Sequence, residues 1–255
     1  MRHDDASDSG PLAGKVVLIT GGARRVGAQL VRRLHAAGAN VLIHYRASGE
    51  DAERLQAELQ AVRPDSVQLL QADLLAHDQL LTLAERAVAH WGHLDVLINN
   101  ASAFYPTPVG TVSAQQWEEL LGSNLRAPFF LAQALAPTLT ARRGAIVNIV
   151  DVYAQRPKPG FAVYSIAKAG LAMVTKALAV KLAPAVRVNG VAPGAIMWPE
   201  HDADGCGPHG SLEKTALRRQ GDAAAVADAV YFLIAEADYV TGHIIPVDGG
   251  RLLYI

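Results

Sequence analysis

Seven short apolar runs, many of them β-branched, alternate along the chain with longer segments of helical pattern. The runs cover residues 15–20, 40–45, 66–71, 94–98, 145–149, 186–191 and 243–246. The helical segments cover residues 25–37, 49–62, 77–90, 114–141, 161–182 and 223–235. Strands that are apolar on both faces, each followed by a helix, indicate a parallel sheet covered on both sides. The sequence therefore predicts an α/β fold with a doubly wound, mostly parallel, seven-stranded sheet.

The length and composition favour one domain. The chain has 255 residues, of which 51% are hydrophobic, enough for a single large core, although two small domains are the alternative. We expect residues 1–10, which are polar and acidic, to form a disordered tail, and residues 11–255 to form the domain. Within it, residues 193–220 are rich in glycine, proline and histidine and are predicted to form a mobile loop over the site. Ser113 is predicted to cap the helix that follows it, and Gly38 to end the first helix.

Charge and cysteine content exclude several classes of function. The net charge is -1 and no basic run occurs, so we expect neither a nucleic-acid nor a membrane partner. The single cysteine, Cys206, excludes an intrachain disulfide and fits a reducing compartment. Residues 1–10 contain no apolar core for export, and no later stretch approaches about 18 uninterrupted apolar residues, which favours a cytoplasmic protein. His201, Asp202 and His209 lack metal-ligand spacing, so no metal is predicted.

A glycine-containing turn, residues 20–27, joins the first strand directly to a helix. A turn in this position is typical of Rossmann-like folds, where it places a dinucleotide pyrophosphate against the helix N-terminus. Arg25 stands where a middle glycine is common, and its guanidinium can pair with phosphate and stack on a flat ring. An ordinary tight turn and a solvated arginine are the alternatives.

The residues after the second strand indicate the cofactor. An NAD site usually carries an acidic residue there, whereas this chain has Tyr45, Arg46 and Ser48, which favour the 2′-phosphate of NADP. Asp73, after the third strand, can accept from the adenine amino group. Alternatively, Arg46 is only solvated and Asp73 only caps a loop.

Tyr164 and Lys168 lie four residues apart and so share one helix face. We expect the ammonium to lower the pKa of the phenol, making it a usable proton donor and acceptor near neutrality. Asp151, thirteen residues before Tyr164, opposes ionisation of the phenol and suggests that the site delivers protons to a substrate. The alternative is that Asp151 caps a loop.

These elements together resemble the short-chain dehydrogenase/reductase family over residues 14–250. The matching motifs are Thr20-Gly21 through Gly27, Asp73, Asn99-Asn100-Ala101, Asn124, Tyr164 with Lys168, and Pro193-Gly194. The sequence departs from the usual pattern at Asp151, where serine is common, at Arg25, and at residues 102–108, where glycine usually follows the asparagines. Together with residues 193–200, these departures resemble the pteridine reductases.

The resemblance implies an NADPH-dependent reductase of dihydropterins, with fully oxidised pterins or dihydrofolate as further possible substrates, and Asp151, Tyr164 and Lys168 as its catalytic residues. The cofactor-binding residues that it implies are Gly21, Arg25, Val26, Tyr45, Arg46, Ser48, Asp73, Leu74, Asn100, Ala101, Ser102, Asn124, Lys168, Pro193 and Gly194. The substrate-binding residues that it implies are Arg25, Ser102, Phe104, Asp151, Tyr164 and Trp198. It also implies a homotetramer that uses the helices near residues 114–141 and 161–182.

In the implied reaction, hydride reaches C6 of a 7,8-dihydropterin while N5 receives a proton; with an oxidised pterin the atoms are C7 and N8. Phe104 is expected to stack on the pterin, although core packing is the alternative role. Three other functions stay open. They are reduction of a ketone or 3-oxoacyl thioester, NADP sensing without catalysis, and a purely structural role.

Overall fold

The computed structural model describes residues 10–196 and 212–254. Most of the predicted tail, at residues 1–9, and the central part of the predicted loop, at residues 197–211, lie outside the described residues. Trp198, Cys206 and the three polar loop residues considered as metal ligands lie in that second stretch.

One parallel sheet of seven strands runs through the molecule, in the order β3-β2-β1-β4-β5-β6-β7. The strands are β1 (Val16–Ile19), β2 (Asn40–Tyr45), β3 (Val67–Gln71), β4 (Val96–Asn99), β5 (Ala145–Ile149), β6 (Arg187–Pro193) and β7 (Ile244–Val247). In the central strand, Val17 pairs with Val41 on one side and with Val96 on the other. The predicted doubly wound, Rossmann-like fold in a single domain is confirmed, with every strand pair parallel.

The helices cover both faces of the sheet. They are α1 (Arg25–Ala36), α2 (Gly49–Gln60), α3 (His77–Ala89), α4 (Ala114–Leu121), α5 (Ala127–Ala141), α6 (Ala162–Leu182) and α7 (Ala223–Ala235). Alternate residues of β1 point to opposite faces, so Val17 and Ile19 pack with α1, α2 and α7, whereas Val16 and Leu18 pack with α3, α5 and α6. The two resulting apolar cores, one on each face of the sheet, fix the positions of the strands and of their carboxyl ends.

The predicted helix over residues 114–141 is divided. Ser113 caps α4 through reciprocal hydrogen bonds with Gln116, as predicted. A π-helical turn, Gly122–Arg126, then separates α4 from α5. Within this turn, the side-chain amide of Asn124 donates to the Leu120 carbonyl oxygen, at 3.0 Å. Such wide turns are frequent at functional sites, and this one carries a predicted site residue.

The turn after β1 is compact. Gly21 has a φ of 62°, in the region that favours glycine. Gly27, in the first turn of α1, lies so close to this turn that a Cβ atom would be 2.1 Å from the Gly21 carbonyl oxygen. The backbone of the turn and the start of α1 can therefore approach each other only with glycine at position 27.

Helix α6 is long and apolar enough to cross a membrane by length and composition, and no other described helix is. In the fold, 44% of its apolar window is buried. The helix lies on the sheet and contributes Leu171 and Ala179 to the apolar clusters. Its composition is therefore accounted for in part by packing within the domain.

We expect Gly27→Ala to lower the free energy of unfolding by about 1–3 kcal/mol, because the new methyl group overlaps the Gly21 carbonyl. Gly49→Ala is the matched control, since its nearest neighbour would be Tyr45 Cε2 at 3.6 Å, and helix propensity predicts an unchanged or slightly higher stability. Urea denaturation of both variants measures the difference. Equal stabilities would contradict the close approach.

Candidate active site

Three of the predicted site residues, Asp151, Tyr164 and Ser102, lie at the carboxyl ends of β4 and β5. Asp151 lies two residues after β5, Tyr164 lies in the first turn of α6, and Ser102 lies three residues after β4. Segments that leave the carboxyl edge of a parallel sheet commonly form binding crevices. Tyr164 is buried, with 4% of its surface exposed.

Asp151 has two separate hydrogen-bonding roles. Its Oδ2 accepts a hydrogen bond from the Tyr164 hydroxyl at 2.7 Å. Its Oδ1 accepts from the backbone N–H of Tyr153 at 2.9 Å and so caps the short 3-10 helix Val152–Ala154. The predicted pairing with Tyr164 and the alternative capping role therefore both occur, one on each oxygen.

Burial dominates the acidity of this pair. It raises the pKa of Asp151, against the effects of the Tyr153 N–H, the Tyr164 hydroxyl and the lysine charges. It also raises the pKa of Tyr164 well above its usual value, and Asp151 raises that pKa further. Burial therefore shifts both groups toward their protonated forms, which is the direction that a proton-donating site needs.

Lys168 differs from its predicted role toward Tyr164. Its Nζ donates to the Ile149 carbonyl oxygen at 2.9 Å and lies 5.7 Å from the centroid of the Tyr164 ring. Burial lowers the pKa of Lys168 to about 8, while Asp151 opposes this shift. The expectation that the ammonium lowers the phenol pKa toward neutrality is wrong, because burial, followed by Asp151, raises that pKa instead.

Ser102 and Asn124 form a second polar group beside the phenol. The Ser102 hydroxyl donates to Asn124 Oδ1 at 2.6 Å, and the Asn124 amide donates to the Ala103 carbonyl at 2.9 Å. The nearby Ser102 hydroxyl lowers the pKa of the Tyr164 phenol, against the larger effects of burial and Asp151. The π-helical turn thus fixes the loop after β4 against the Asp151–Tyr164 pair.

An aromatic wall borders the pair. Phe104 stacks on Phe161, with ring centroids 4.6 Å apart, and meets Tyr164 edge to face at 4.8 Å. Phe104 remains 43% exposed. A phenylalanine that served only to fill the core would be covered, so this ring is available to an external planar group.

The glycine turn is held by groups from two neighbouring strands. Asn100 donates through Nδ2 to the carbonyl oxygens of Thr20 and Gly21, both at 2.9 Å. The Thr20 hydroxyl accepts from the N–H groups of Asn100 and Ala101 at 2.9 and 3.0 Å. Through these hydrogen bonds, Asn100 and Ala101 fix the conformation of the glycine turn.

His44, at the end of β2, is a site residue to which the sequence assigned no role. Its Nδ1 accepts from the Gly21 N–H at 3.1 Å, and its Nε2 lies 3.2 Å from the Ala72 carbonyl oxygen. This pattern requires the tautomer with hydrogen on Nε2. Burial lowers the pKa of His44 to about 4. A neutral imidazole therefore links the glycine turn to the end of β3.

The residues predicted to select the cofactor lie at the ends of β2 and β3 and in the segments that follow them. Arg46 is exposed, Tyr45 and Ser48 are half-buried, and Leu74 is buried. Asp73 accepts through Oδ1 from the Leu75 N–H at 3.0 Å, so the alternative of a loop cap is present in the structure.

Arg25 and Val26 begin α1, with Arg25 at a φ of 52°. Arg25 lines a groove of about 770 Å³ together with Ile196, Gln220 and Asp222. Pro193 ends β6, and the Gly194 N–H donates to the Val247 carbonyl at 3.0 Å. The predicted substrate residue Trp198 lies outside the described residues.

The family model described as enoyl-(acyl carrier protein) reductase matches residues 21–251. This range spans the glycine turn, the Asp151–Tyr164–Lys168 group and β7. The chain belongs to the short-chain dehydrogenase/reductase family. It is accordingly an oxidoreductase of that family, as its motifs predicted.

Individual members of the short-chain dehydrogenase/reductase family are similar to the chain over most of its length. Pteridine reductase 1 of Leishmania tarentolae is 36% identical, covering 93% of this chain and 96% of the relative. Granaticin polyketide synthase putative ketoacyl reductase 2 of Streptomyces violaceoruber is 35% identical, with the same coverage of both chains. The crystal structure of a blue fluorescent protein from a metagenomic library, in complex with NADPH, has a TM-score of 0.88 and 34% identity, covering 93% of this chain and 98% of that one.

The sequence did not reveal the roles of those residues of this reductase site that position other residues. Thr20 and His44 shape the glycine turn, and Phe161 supports Phe104. Their only sequence signal is position, at a strand end or just before a helix. Hydrogen-bond partners 23 to 80 positions away in the chain decide the roles of Thr20 and His44.

We expect the stability of this reductase to fall by about 3 kcal/mol through His44 alone as the pH drops from 6.5 to 4. The pKa is lower in the folded state, so the unfolded state binds the proton first and acid favours unfolding. Urea denaturation at several pH values measures the effect. His44→Gln should reduce the slope, while His243→Gln, at an exposed position, should keep it. A slope unchanged in His44→Gln would contradict this assignment.

Proposed function

We propose that this short-chain reductase is an NADPH-dependent pteridine reductase that converts a dihydropterin to its tetrahydro form. The observation that carries the proposal is the 2.7 Å hydrogen bond between the Tyr164 hydroxyl and Asp151. Both groups have raised pKa values because of burial, so the pair is suited to supply a proton rather than remove one.

The aromatic wall supports a planar heterocyclic substrate. The exposed Phe104 ring is held by Phe161 and meets the edge of Tyr164. Offset stacking on such a ring contributes about 0.5–1.5 kcal/mol beyond burial. A pterin bound against Phe104 brings a ring nitrogen near the proton donors. Ser102, Arg25 and Trp198 complete the proposed substrate contacts.

The chain's residues fit a dinucleotide. The closely packed glycine turn at Gly27 leaves the first N–H groups of α1 directed to the carboxyl edge of the sheet, where a pyrophosphate is favoured. Arg46 and Ser48 lie after β2 without an acidic neighbour at positions 45–49, which favours a 2′-phosphate. The remaining proposed contacts are Gly21, Arg25, Val26, Tyr45, Asp73, Leu74, Asn100, Ala101, Ser102, Asn124, Lys168, Pro193 and Gly194.

When bound, NADPH supplies a hydride to a ring carbon of the pterin. Tyr164 donates its hydroxyl proton to the adjacent ring nitrogen, and protonated Asp151 returns a proton to the phenol oxygen through their shared hydrogen bond. Lys168, oriented by the Ile149 carbonyl, binds the nicotinamide ribose, and its positive charge opposes the rise in the pKa of Asp151. Oxidised pterins and dihydrofolate are further candidate substrates.

Reduction of a ketone or 3-oxoacyl substrate is the second candidate function. The 35% identity to the Streptomyces ketoacyl reductase favours it. The carboxyl group at Asp151, where serine is common in the family, favours the pterin. A sensor without catalytic activity is less compatible with Tyr164 and Lys168, which are both present and buried at the site.

A homotetramer is part of the proposal. Ile166, Met173 and Val180 recur every seven residues along α6 and are 50%, 62% and 82% exposed, although they are apolar. Residues with this spacing form one helix face, which suits packing against another copy. We assign the enzyme to the cytoplasm, where reducing conditions suit its single cysteine.

A substrate panel tests the function directly. Initial rates with NADPH and NADH are measured for 7,8-dihydrobiopterin, 7,8-dihydrofolate, oxidised biopterin, simple ketones and a 3-oxoacyl thioester. We expect turnover of the dihydropterins with NADPH as the better cofactor. Reduction of the carbonyl compounds alone would refute the pterin assignment, and NADPH binding without any turnover would favour the sensor.

Asp151→Asn should lower dihydropterin turnover by about two to four orders of magnitude, because the amide cannot relay the proton. The amide oxygen still accepts from the Tyr153 N–H, so the capping role is kept. The exposed Asp65→Asn is the matched control, since Asp65 has a φ of 55° that asparagine tolerates. A wild-type kcat in the Asp151→Asn enzyme would remove Asp151 from the proton pathway.

The same pair predicts the pH profile. Because Asp151 must be protonated, kcat for the wild-type enzyme should be highest below its raised pKa and fall as the pH rises through it. Asp151→Asn should lack this transition in its residual activity. An identical profile in the two enzymes would assign the transition to another group.

Arg46→Ala should raise KM for NADPH by about 10–100-fold, since a charge-assisted contact to phosphate contributes about 1.5–3 kcal/mol. KM for NADH should change little, because NADH has no 2′-phosphate. Arg143→Ala, at an exposed position before β5, serves as control. Parallel changes for both cofactors would show that Arg46 does not read the 2′-phosphate.

A further inference from the structure

Lys158 lies at the aromatic wall of the site and has no role in the reduction described above. Its Nζ is 3.9 Å from the centroid of the Phe161 ring and 5.0 Å from that of Phe104. Among the residues that the structure describes, no carboxylate lies within salt-bridge distance of this ammonium. The side chain is half-buried, so a positive charge is kept at the cleft, in contact with rings.

The backbone holds this lysine in place. Pro157 and Pro159 flank it, which restricts the conformation of the segment. The Lys158 carbonyl accepts from the Phe161 N–H at 3.1 Å, and the Lys158 N–H donates to Ser165 Oγ at 3.4 Å. An ammonium on a restricted segment loses less conformational entropy on binding than one on a free loop.

The segment is also joined to the segment that carries Phe104. The Gly160 carbonyl accepts from the Thr107 N–H at 2.6 Å, and Thr107 is completely buried. Thr107 Oγ1 in turn accepts from the Val163 N–H at 3.2 Å. Lys158 and Phe104 therefore belong to two segments with a fixed separation, and a substrate stacked on Phe104 lies beside a positive charge.

We infer that Lys158 is a specificity-determining residue that selects pterins whose side chain ends in an anionic oxygen group. This inference rests on the proposed pteridine reductase function. A carboxylate, as in the glutamyl tail of dihydrofolate, and a phosphate ester on a short pterin side chain share this chemistry. The four-methylene side chain of lysine is flexible, so its ammonium can reach either group while its methylene groups stay in contact with the rings.

Electrostatics at Asp151 supply an independent sign that Lys158 acts within the cleft. Burial raises the pKa of Asp151, and Lys158 is among the positive charges that oppose the rise. Removal of the Lys158 charge therefore affects proton delivery to every substrate equally. The ratio of kcat/KM between an anionic substrate and its neutral analogue cancels this common effect and isolates recognition of the side chain.

The test uses two matched pairs of substrates with NADPH. One pair is 7,8-dihydroneopterin 3′-phosphate and 7,8-dihydroneopterin, and the other is 7,8-dihydrofolate and its dimethyl ester. Wild type, Lys158→Met and Lys158→Arg are compared, with Lys181→Met, at an exposed position near the end of α6, as control. Fluorescence titration with NADPH verifies that each variant retains the folded cofactor site.

In wild type we expect the anionic member of at least one pair to be preferred. Lys158→Met should reduce that preference by about 2–5-fold, chiefly through KM, which corresponds to the loss of about one partly exposed ion pair. Lys158→Arg should keep most of it. The substrate pair in which the preference falls shows whether Lys158 recognises the phosphate or the carboxylate.

Equal losses for the anionic and neutral members of both pairs, with NADPH binding intact, would overturn the inference and leave the pteridine reductase function standing. Failure of the wild-type enzyme to reduce any of the four substrates would overturn both. The Lys158→Gln variant repeats the comparison with a polar side chain if methionine reduces the yield of folded protein.

Discussion

Desolvation of the Asp151–Tyr164 pair is the constraint on which the arrangement of this site depends. An acidic group and a phenol at 2.7 Å would both titrate near their ordinary values in water. In the fold, α6 and the loop after β4 cover the phenol, and burial raises the pKa of both groups. The rest of the site keeps these two side chains in position. It includes the Ser102–Asn124 hydrogen bond and the hydrogen bond from Lys168 to the Ile149 carbonyl.

The glycine turn depends on a comparable network at the neighbouring strand ends. Thr20, His44 and Asn100 contribute hydrogen bonds that satisfy the turn's backbone groups while the turn stays close to α1. Because these bonds come from β2 and β4 segments, the geometry of the turn follows from strand order. The sheet thus fixes the end of α1 at which we propose that the cofactor pyrophosphate binds.

Much of the fold follows from the sequence, because strand and helix periodicity agree with the local propensities. The strand at residues 40–45 and the helix at residues 223–235 have the predicted bounds. The division of residues 114–141 was not predictable, since the π-helical turn depends on hydrogen bonds from Asn124 to Leu120 and Ala103. The rise in the Tyr164 pKa was predicted only as far as it comes from Asp151, because its larger cause, burial, is a property of the assembled domain. Lys158 carried no motif, and only its packing on Phe161 indicates a role.

The π-helical turn has a consequence for changes in chain length. A π-helical turn accommodates one residue more than an α-helical turn, so removal of one residue from Gly122–Arg126 would let α4 and α5 join as a continuous α-helix. Leu131 and Leu135 would keep their places in the apolar core, whereas Asn124 would be displaced from its hydrogen bonds with Ser102 and Ala103. A single-residue deletion in this turn therefore separates the folding of the domain from the assembly of its polar site.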